Sequence, residues 1–276
     1  MAQLSGKVCL ITGASGAIGS AIARQLHKEG AHLALGFRTT KPEPLREESG
    51  AGSDRVSRFY FDVADWKQVR DAVQAVESKL GQVDVLVNCA GVVGPIGPFE
   101  TSDVCDWAKT VEINLLGSMY LARAVVPGMM ARRQGKIILL SGGGAAYARP
   151  FFTSYSSSKA AVVRFAESLA QELEEANIQV NAVAPGAVKS HMWDQMRAAG
   201  ASGGPKLLEE LKRMDETGGA APERAAGLVV FLASERSSKL TGRLLSAVWD
   251  DWEQLENHIE KIRSSDAGTL RRVPLT

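Results

Sequence analysis

The sequence predicts an α/β fold: one doubly wound, Rossmann-like parallel sheet of about seven strands with helices on both faces. Three observations carry this expectation. Short apolar runs alternate with segments of helical period along the chain, the pattern of successive βαβ units. Several runs are apolar at consecutive positions, as strands covered on both faces must be. A glycine-rich turn joins the first apolar run to the first helical pattern.

The elements follow in order. Residues 7–12 read as the first strand, with Val8, Leu10 and Ile11. Ile18, Ile22 and Leu26 recur every four residues, and Gly30 stops that helix. Strands are expected at 31–37 and 55–63, then a helix through Val69, Val73, Val76 and Leu80. A fourth strand at 83–88 precedes a long helical region at 107–130, and a fifth strand covers 136–140. A strongly periodic helix over 154–176 leads to a sixth strand at 179–184, and a helix over 222–233 leads to a seventh at 243–249. The domain runs over 1–250, with a glycine-rich, mobile lid near 189–219 that contains a helix over 206–214. Residues 251–276 form an extension, helical through Leu255, Ile259 and Ile262, then a surface tail with Arg271 and Arg272. That helix either packs on its own sheet, covers a neighbouring subunit or caps a cleft.

Composition excludes several classes. Apolar residues make up 45% and charged residues 23%, which is globular rather than disordered. Lys plus Arg number 32 against 31 acids, so the net charge of +1 offers no basic excess to nucleic acid or an anionic membrane. The three cysteines, Cys9, Cys89 and Cys105, form neither a disulfide framework nor a metal-ligand pattern, and a reducing cytoplasm fits them. The uncharged stretch 8–23 is broken by Gly and Ser, and no run of about twenty apolar residues exists to span a bilayer.

Thr12-Gly13-Ala14-Ser15-Gly16-Ala17-Ile18-Gly19 lies between the first strand and the first helix. A diphosphate approaches backbone only where side chains are absent, and the N–H groups of a helix N-terminus then face the anion. Sites selective for the unphosphorylated dinucleotide place a carboxylate at the end of the second strand. Here that strand ends in Arg38, Thr39, Thr40 and Lys41, with no acid before Glu43. Arg38 offers a planar cation to a 2′-phosphate, so NADP(H) is favoured over NAD, unless Arg38 is a solvated loop residue.

Tyr155 and Lys159 stand four residues apart at the start of a predicted helix and so share one face. A cation beside a phenol favours the phenolate and brings its pKa toward the working range of an acid–base group.

The glycine turn, Asn88-Cys89-Ala90-Gly91, Asn114, Tyr155 with Lys159, and Pro185-Gly186 occur in that order. As an ordered set they resemble the short-chain dehydrogenase/reductases in their compact single-domain form, over roughly residues 5–245. The resemblance implies Tyr155 as general acid/base, Lys159 lowering its pKa and holding the nicotinamide ribose, and Asn114 anchoring a water in a proton relay. It implies Gly13, Ser15, Gly16, Ile18 and Gly19 under the diphosphate and Asp62 and Val63 beside the adenine. Asn88, Ala90 and Gly91 would line the cofactor, and Pro185, Gly186, Val188 and Ser190 would hold its nicotinamide end. It also implies a homodimer or homotetramer acting on a small carbonyl or alcohol.

Three departures stand out. The family carries a substrate-binding serine thirteen residues before the tyrosine; here that position is Gly142, and Ser141 precedes it. Either a bulge in the glycine run re-aims Ser141, or backbone N–H groups of Gly142 or Gly143 take the substrate oxygen. The spacing Gly13, Gly16, Gly19, with Ala17 where compact members carry glycine, is closer to the extended relatives. The C-terminal segment also differs from the family's short ending. The expected activity is NADP(H)-dependent interconversion of a carbonyl and a secondary alcohol. A cofactor-binding sensor with little turnover, or a redox-neutral epimerase or dehydratase, remains open on the sequence.

Overall fold

The computed structural model describes residues 2–39, 54–273 and 275. Thr40, Lys41 and Glu43, invoked above, lie outside the described residues.

Seven parallel strands form one sheet in the order β3-β2-β1-β4-β5-β6-β7. They are β1 (Val8–Thr12), β2 (His32–Phe37), β3 (Val56–Tyr60), β4 (Val85–Asn88), β5 (Gly135–Leu140), β6 (Ile178–Ala184) and β7 (Leu244–Ser246). The order reverses between β1 and β4, which opens a crevice at the C-terminal ends of these two strands.

Helices α1 (Ala17–Lys28) and α8 (Pro222–Ala233) pack against one face. Helices α2 (Trp66–Leu80), α4 (Gly117–Arg132) and α5 (Thr153–Glu172) cover the other. Both layers follow from the apolar periodicity: Ile22 and Leu26 are fully buried beneath α1, and Val69, Val73 and Val76 beneath α2. Asp65 starts α2 by accepting a hydrogen bond from the Gln68 N–H. Asp103 does the same for α3 (Val104–Val111) through the Asp106 N–H.

The long helical region predicted over 107–130 is not one regular helix. A π turn at Glu112–Leu116 joins α3 to α4. Such a turn re-aims one side chain out of the regular helical face, and Asn114 is at its centre.

Helices α6 (His191–Ala199) and α7 (Gly204–Thr217) form the segment expected as a lid. They pack on a third, small core of Val93, Phe152, Tyr155, Met196, Leu207 and Leu211. The C-terminal extension packs on its own chain. A short 3₁₀ stretch, Trp252–His258, and α9 (Ile259–Arg263) place Trp252, Leu255, Ile259 and Ile262 against the core shared by α1 and α8. The Trp252 ring lies 2.8 Å from where a Cβ on Gly227 of α8 would stand. Among the described residues, no helix is long and apolar enough to cross a membrane, and no group of His, Cys, Asp or Glu could hold a metal ion.

Candidate active site

The site forms where the C-terminal ends of β1, β4, β5 and β6 meet the helices that follow them. The three turn glycines have different tasks. Gly13 has φ +62°, and a Cβ there would stand 2.8 Å from the Ala90 nitrogen and from the Cys89 carbonyl carbon. A Cβ on Gly19 would stand 2.9 Å from the Gly13 carbonyl carbon. These two glycines let the turn press on the end of β4 and on α1. Gly16 is different: a Cβ there would meet only the Gly13 carbonyl oxygen, at an ordinary 3.4 Å, it precedes the first turn of α1, and it and Ser15 beside it are exposed. Backbone N–H groups are thus accessible at a helix N-terminus with no acidic residue in its first turn, which suits a diphosphate. Ile18 is half-buried against the core under α1.

Asn88 is a brace. Its side chain is 2% exposed, accepts from the Thr12 hydroxyl and the Ala90 N–H (3.2 Å), and donates to Ser118 Oγ at 2.8 Å. It ties β1, β4 and α4 together and sets the path of Ala90 and Gly91. The Asn114 side chain is equally committed. Its Oδ1 accepts from the Val92 N–H, and its Nδ2 donates to the Val92 carbonyl and to Ser158 Oγ, each at 2.9 Å.

Gly91 is where these groups converge. A Cβ there would stand 3.0 Å from Asn114 Oδ1 and 3.3 Å from Lys159 Nζ. The glycine leaves a cradle beside the lysine. Lys159 Nζ donates to the Leu140 carbonyl at 2.8 Å and lies 5.9 Å from the centre of the Tyr155 ring. Burial pushes the Lys159 pKa down to about 8. It pushes the Tyr155 pKa up to about 12. The opposing pull on Tyr155 comes from the positive charge of Arg149. In this arrangement the Lys159 amine is turned to the Leu140 carbonyl.

Ser141 turns inward. Its side chain is 3% exposed, and its hydroxyl donates to the Lys159 carbonyl at 3.4 Å, behind the site. β5 ends at Leu140 and Ser141 continues its extended course, with its N–H on the Val183 carbonyl. No bulge re-aims it. The next residue faces the tyrosine: a Cβ on Gly142 would stand 3.2 Å from Tyr155 Cζ and inside 3.0 Å of the hydroxyl oxygen.

The remaining expected residues ring this centre. Arg38 is exposed at the end of β2. Asp62 caps the following turn by accepting from the Ala64 N–H at 2.8 Å. Val63 is buried against Gly117 at the start of α4. Beyond β6, Pro185 and Val188 are buried, Gly186 is exposed with φ +86°, and Ser190 precedes the first turn of α6. His191 is exposed and faces Asp194. Arg149, Phe152 and Glu210, which no sequence motif singles out, also border the site. Arg149 is buried, with its guanidinium carbon 4.1 Å above the Phe152 ring, and it pairs with Glu210 of α7. An arginine and a proline before the apolar pair Phe151-Phe152 were the available signal.

Known proteins share this architecture. The family model for short chain dehydrogenases matches residues 7–200. Nodulation protein G of Rhizobium meliloti (strain 1021) is 38% identical over 248 residues, 89% of this chain and 96% of that protein. A 3-oxoacyl-(acyl-carrier-protein) reductase of Thermotoga maritima is 34% identical over 246 residues, 88% of this chain and 96% of that protein. Among solved structures, a single-residue variant of actinorhodin polyketide ketoreductase with NADPH superposes with a TM-score of 0.80 at 29% identity, covering 89% of this chain and 97% of that one. Sequence, sheet order and site geometry together make this chain a member of the short-chain dehydrogenase family of oxidoreductases.

Proposed function

We propose that the protein is an NADP(H)-dependent oxidoreductase that interconverts a carbonyl and a secondary alcohol of a small molecule, with Tyr155 as the general acid/base. One observation carries this reading: from α5, Lys159 reaches Gly91 beside Asn114 and the Tyr155 hydroxyl reaches Gly142, at the sheet end that also presents the open N-terminus of α1. Gly13 and Gly19 let the turn close on itself and on β4, and Gly16 and Gly91 keep side chains out of the path that a dinucleotide needs. Arg38, exposed at the end of β2, is the group that would meet a 2′-phosphate. A bound nicotinamide supplies or accepts the hydride.

The chain's own residues do the rest. Lys159, with its ammonium beside Gly91, would bind the ribose hydroxyls. Hydroxyls that accept hydrogen bonds from the ammonium favour its protonated form and so strengthen the positive field on the phenol. The Tyr155 hydroxyl gives a proton to the carbonyl oxygen in reduction and takes it back in oxidation. Asn114, fixed by Val92 and Ser158, would anchor the water through which that proton is replenished. With no hydroxyl at position 142, the N–H groups of Gly142 and Gly143 are the donors proposed for the substrate oxygen. A homodimer or homotetramer belongs to the same reading.

The test is Tyr155→Phe. Turnover of carbonyl substrates with NADPH falls to background while NADPH fluorescence titration is unchanged; retained turnover refutes the assignment. Arg38→Gln weakens NADPH more than NADH, and an equal effect on both refutes the cofactor preference. A second reading, a cofactor-binding sensor, is favoured by Gly142 alone. It predicts tight NADPH binding with no oxidation across ketones, aldehydes and sugar-derived carbonyls.

A further inference from the structure

Arg149 has a setting that cofactor binding and proton transfer do not explain. It lies in the loop between β5 and α5, and its side chain is 8% exposed. Nη2 reaches Glu210 and lies 3.8 Å from Met196 Sδ, both on the covering helices. Nη1 lies 3.4 Å from where a Cβ on Gly143 would stand, and the Tyr147 hydroxyl lies equally near that point. Nε is buried without a hydrogen-bond partner among the described residues. The planar group is stacked on Phe152, a neighbour of Tyr155 in the small core under α6 and α7. A guanidinium with an unmet donor is thus fixed beside the segment that faces the catalytic phenol.

Its carboxylate partner stands on the cover. Tyr155 is 6% exposed and shares a small core with Phe152 and with Met196, Leu207 and Leu211 of α6 and α7, so a substrate would reach the phenol as α6 and α7 move aside. Glu210 sits on α7 and leaves with it. Arg149 stays, held by its own loop and by Phe152. A desolvated cation stripped of its counter-charge is strongly disfavoured, and a second carboxylate in the same place restores the pair. The Glu210 carboxylate marks the spot and the chemistry that such a ligand must reproduce.

We propose that Arg149 is a specificity-determining residue that receives a carboxylate on the substrate, in exchange for Glu210, so that the substrates are oxo acids and the corresponding hydroxy acids. This inference rests on the carbonyl–alcohol reading given above. The apolar surroundings from Phe151, Phe152, Met192 and Trp193 suit the carbon skeleton between the carboxylate and the reacting carbonyl.

The experiment compares 4-oxopentanoate and 4-acetylbenzoate with their methyl esters, using NADPH and the full-length protein. Wild type reduces the acids with kcat/KM at least about 10-fold above the esters, the size of a charge-assisted hydrogen bond. Arg149→Met abolishes the preference through KM, lowers kcat for acids and esters alike because the phenol loses a neighbouring positive charge, and leaves NADPH affinity unchanged. Glu210→Gln, which removes the competing carboxylate, lowers KM for the acids and not for the esters. Esters used as well as acids by wild type, or a preference that survives in Arg149→Met, overturns the proposal. Should neither series be reduced, the oxidoreductase reading fails separately, and calorimetry on the NADPH-loaded protein decides the Arg149 site. Acid binding that is lost in Arg149→Met supports it, and absence of acid binding overturns it.

Discussion

Gly142→Ser sets two arguments against each other. Position alone says that serine restores the hydroxyl that the family uses on the substrate oxygen. Regaining a donor of that kind is worth about 10²- to 10³-fold in kcat. The structure says the opposite. The new Cβ would stand 3.2 Å from Tyr155 Cζ and inside 3.0 Å of its hydroxyl oxygen, closer than real Cβ atoms approach. Tyr155 is buried under Phe152 and the covering helices, so it has little room to yield. Relief requires the phenol to retreat by about 1 Å, and a misplacement of that size costs about 100-fold in rate. Overpacking at a buried site adds about 1–3 kcal/mol of destabilisation. The expected result is kcat reduced by about 100-fold, NADPH affinity within about 3-fold of wild type, and a lower Tm. Gly142→Ala is the control, since it introduces the Cβ without the hydroxyl and should be equally impaired. The assay is steady-state NADPH oxidation with the best carbonyl found in the screen, alongside thermal unfolding. A Gly142→Ser enzyme as active as wild type, or more so, refutes the reasoning from space and restores the argument from position.

Three further outcomes are expected. Gly19→Ala places a Cβ 2.9 Å from the Gly13 carbonyl carbon, so the turn must open; NADPH affinity falls by about 10-fold or more and stability by about 1–3 kcal/mol, read by fluorescence titration and urea unfolding. Lys159 has its pKa lowered from 10.5 to about 8 by burial, so the unfolded chain binds more protons between these values and the lysine's destabilising effect, full below pH 8, is relieved as pH rises through that window. An anionic cofactor beside Lys159 favours the ammonium, so NADPH binding takes up a proton above pH 8 and weakens as pH rises; calorimetry in buffers of different ionisation enthalpy measures the uptake, which Lys159→Met removes. Glu167 is 4% exposed and accepts from the Leu270 N–H at 2.7 Å and from Arg271 and Arg164, so Glu167→Ala frees the C-terminal tail and lowers stability by about 1–3 kcal/mol in denaturant titration.

What the sequence determined by itself is the class of fold, its strand segments and the family. Those properties are written in local periodicity: Val8 to Ile11 as an unbroken apolar run, and Ile22 with Leu26 on one face of α1. Glycine spacing and the Tyr155–Lys159 interval are likewise local, and local patterns need no partner to be read. Tertiary structure decided the directions of side chains and the charges they meet. Ser141 and Gly142 are adjacent in sequence, yet which one faces the phenol depends on how β5 pairs with β6. The π turn that places Asn114 interrupts a segment whose periodicity reads as continuous helix. Lys159 and Tyr155 share a helix face, but the lysine is held by a carbonyl of β5, and the guanidinium of Arg149 pulls on the phenol as well. Arg149 in turn owes its burial to Phe152 and to Glu210, sixty-one residues further along the chain. Electrostatic and packing forces act through space, so the residues they join need carry no sign of each other in the sequence.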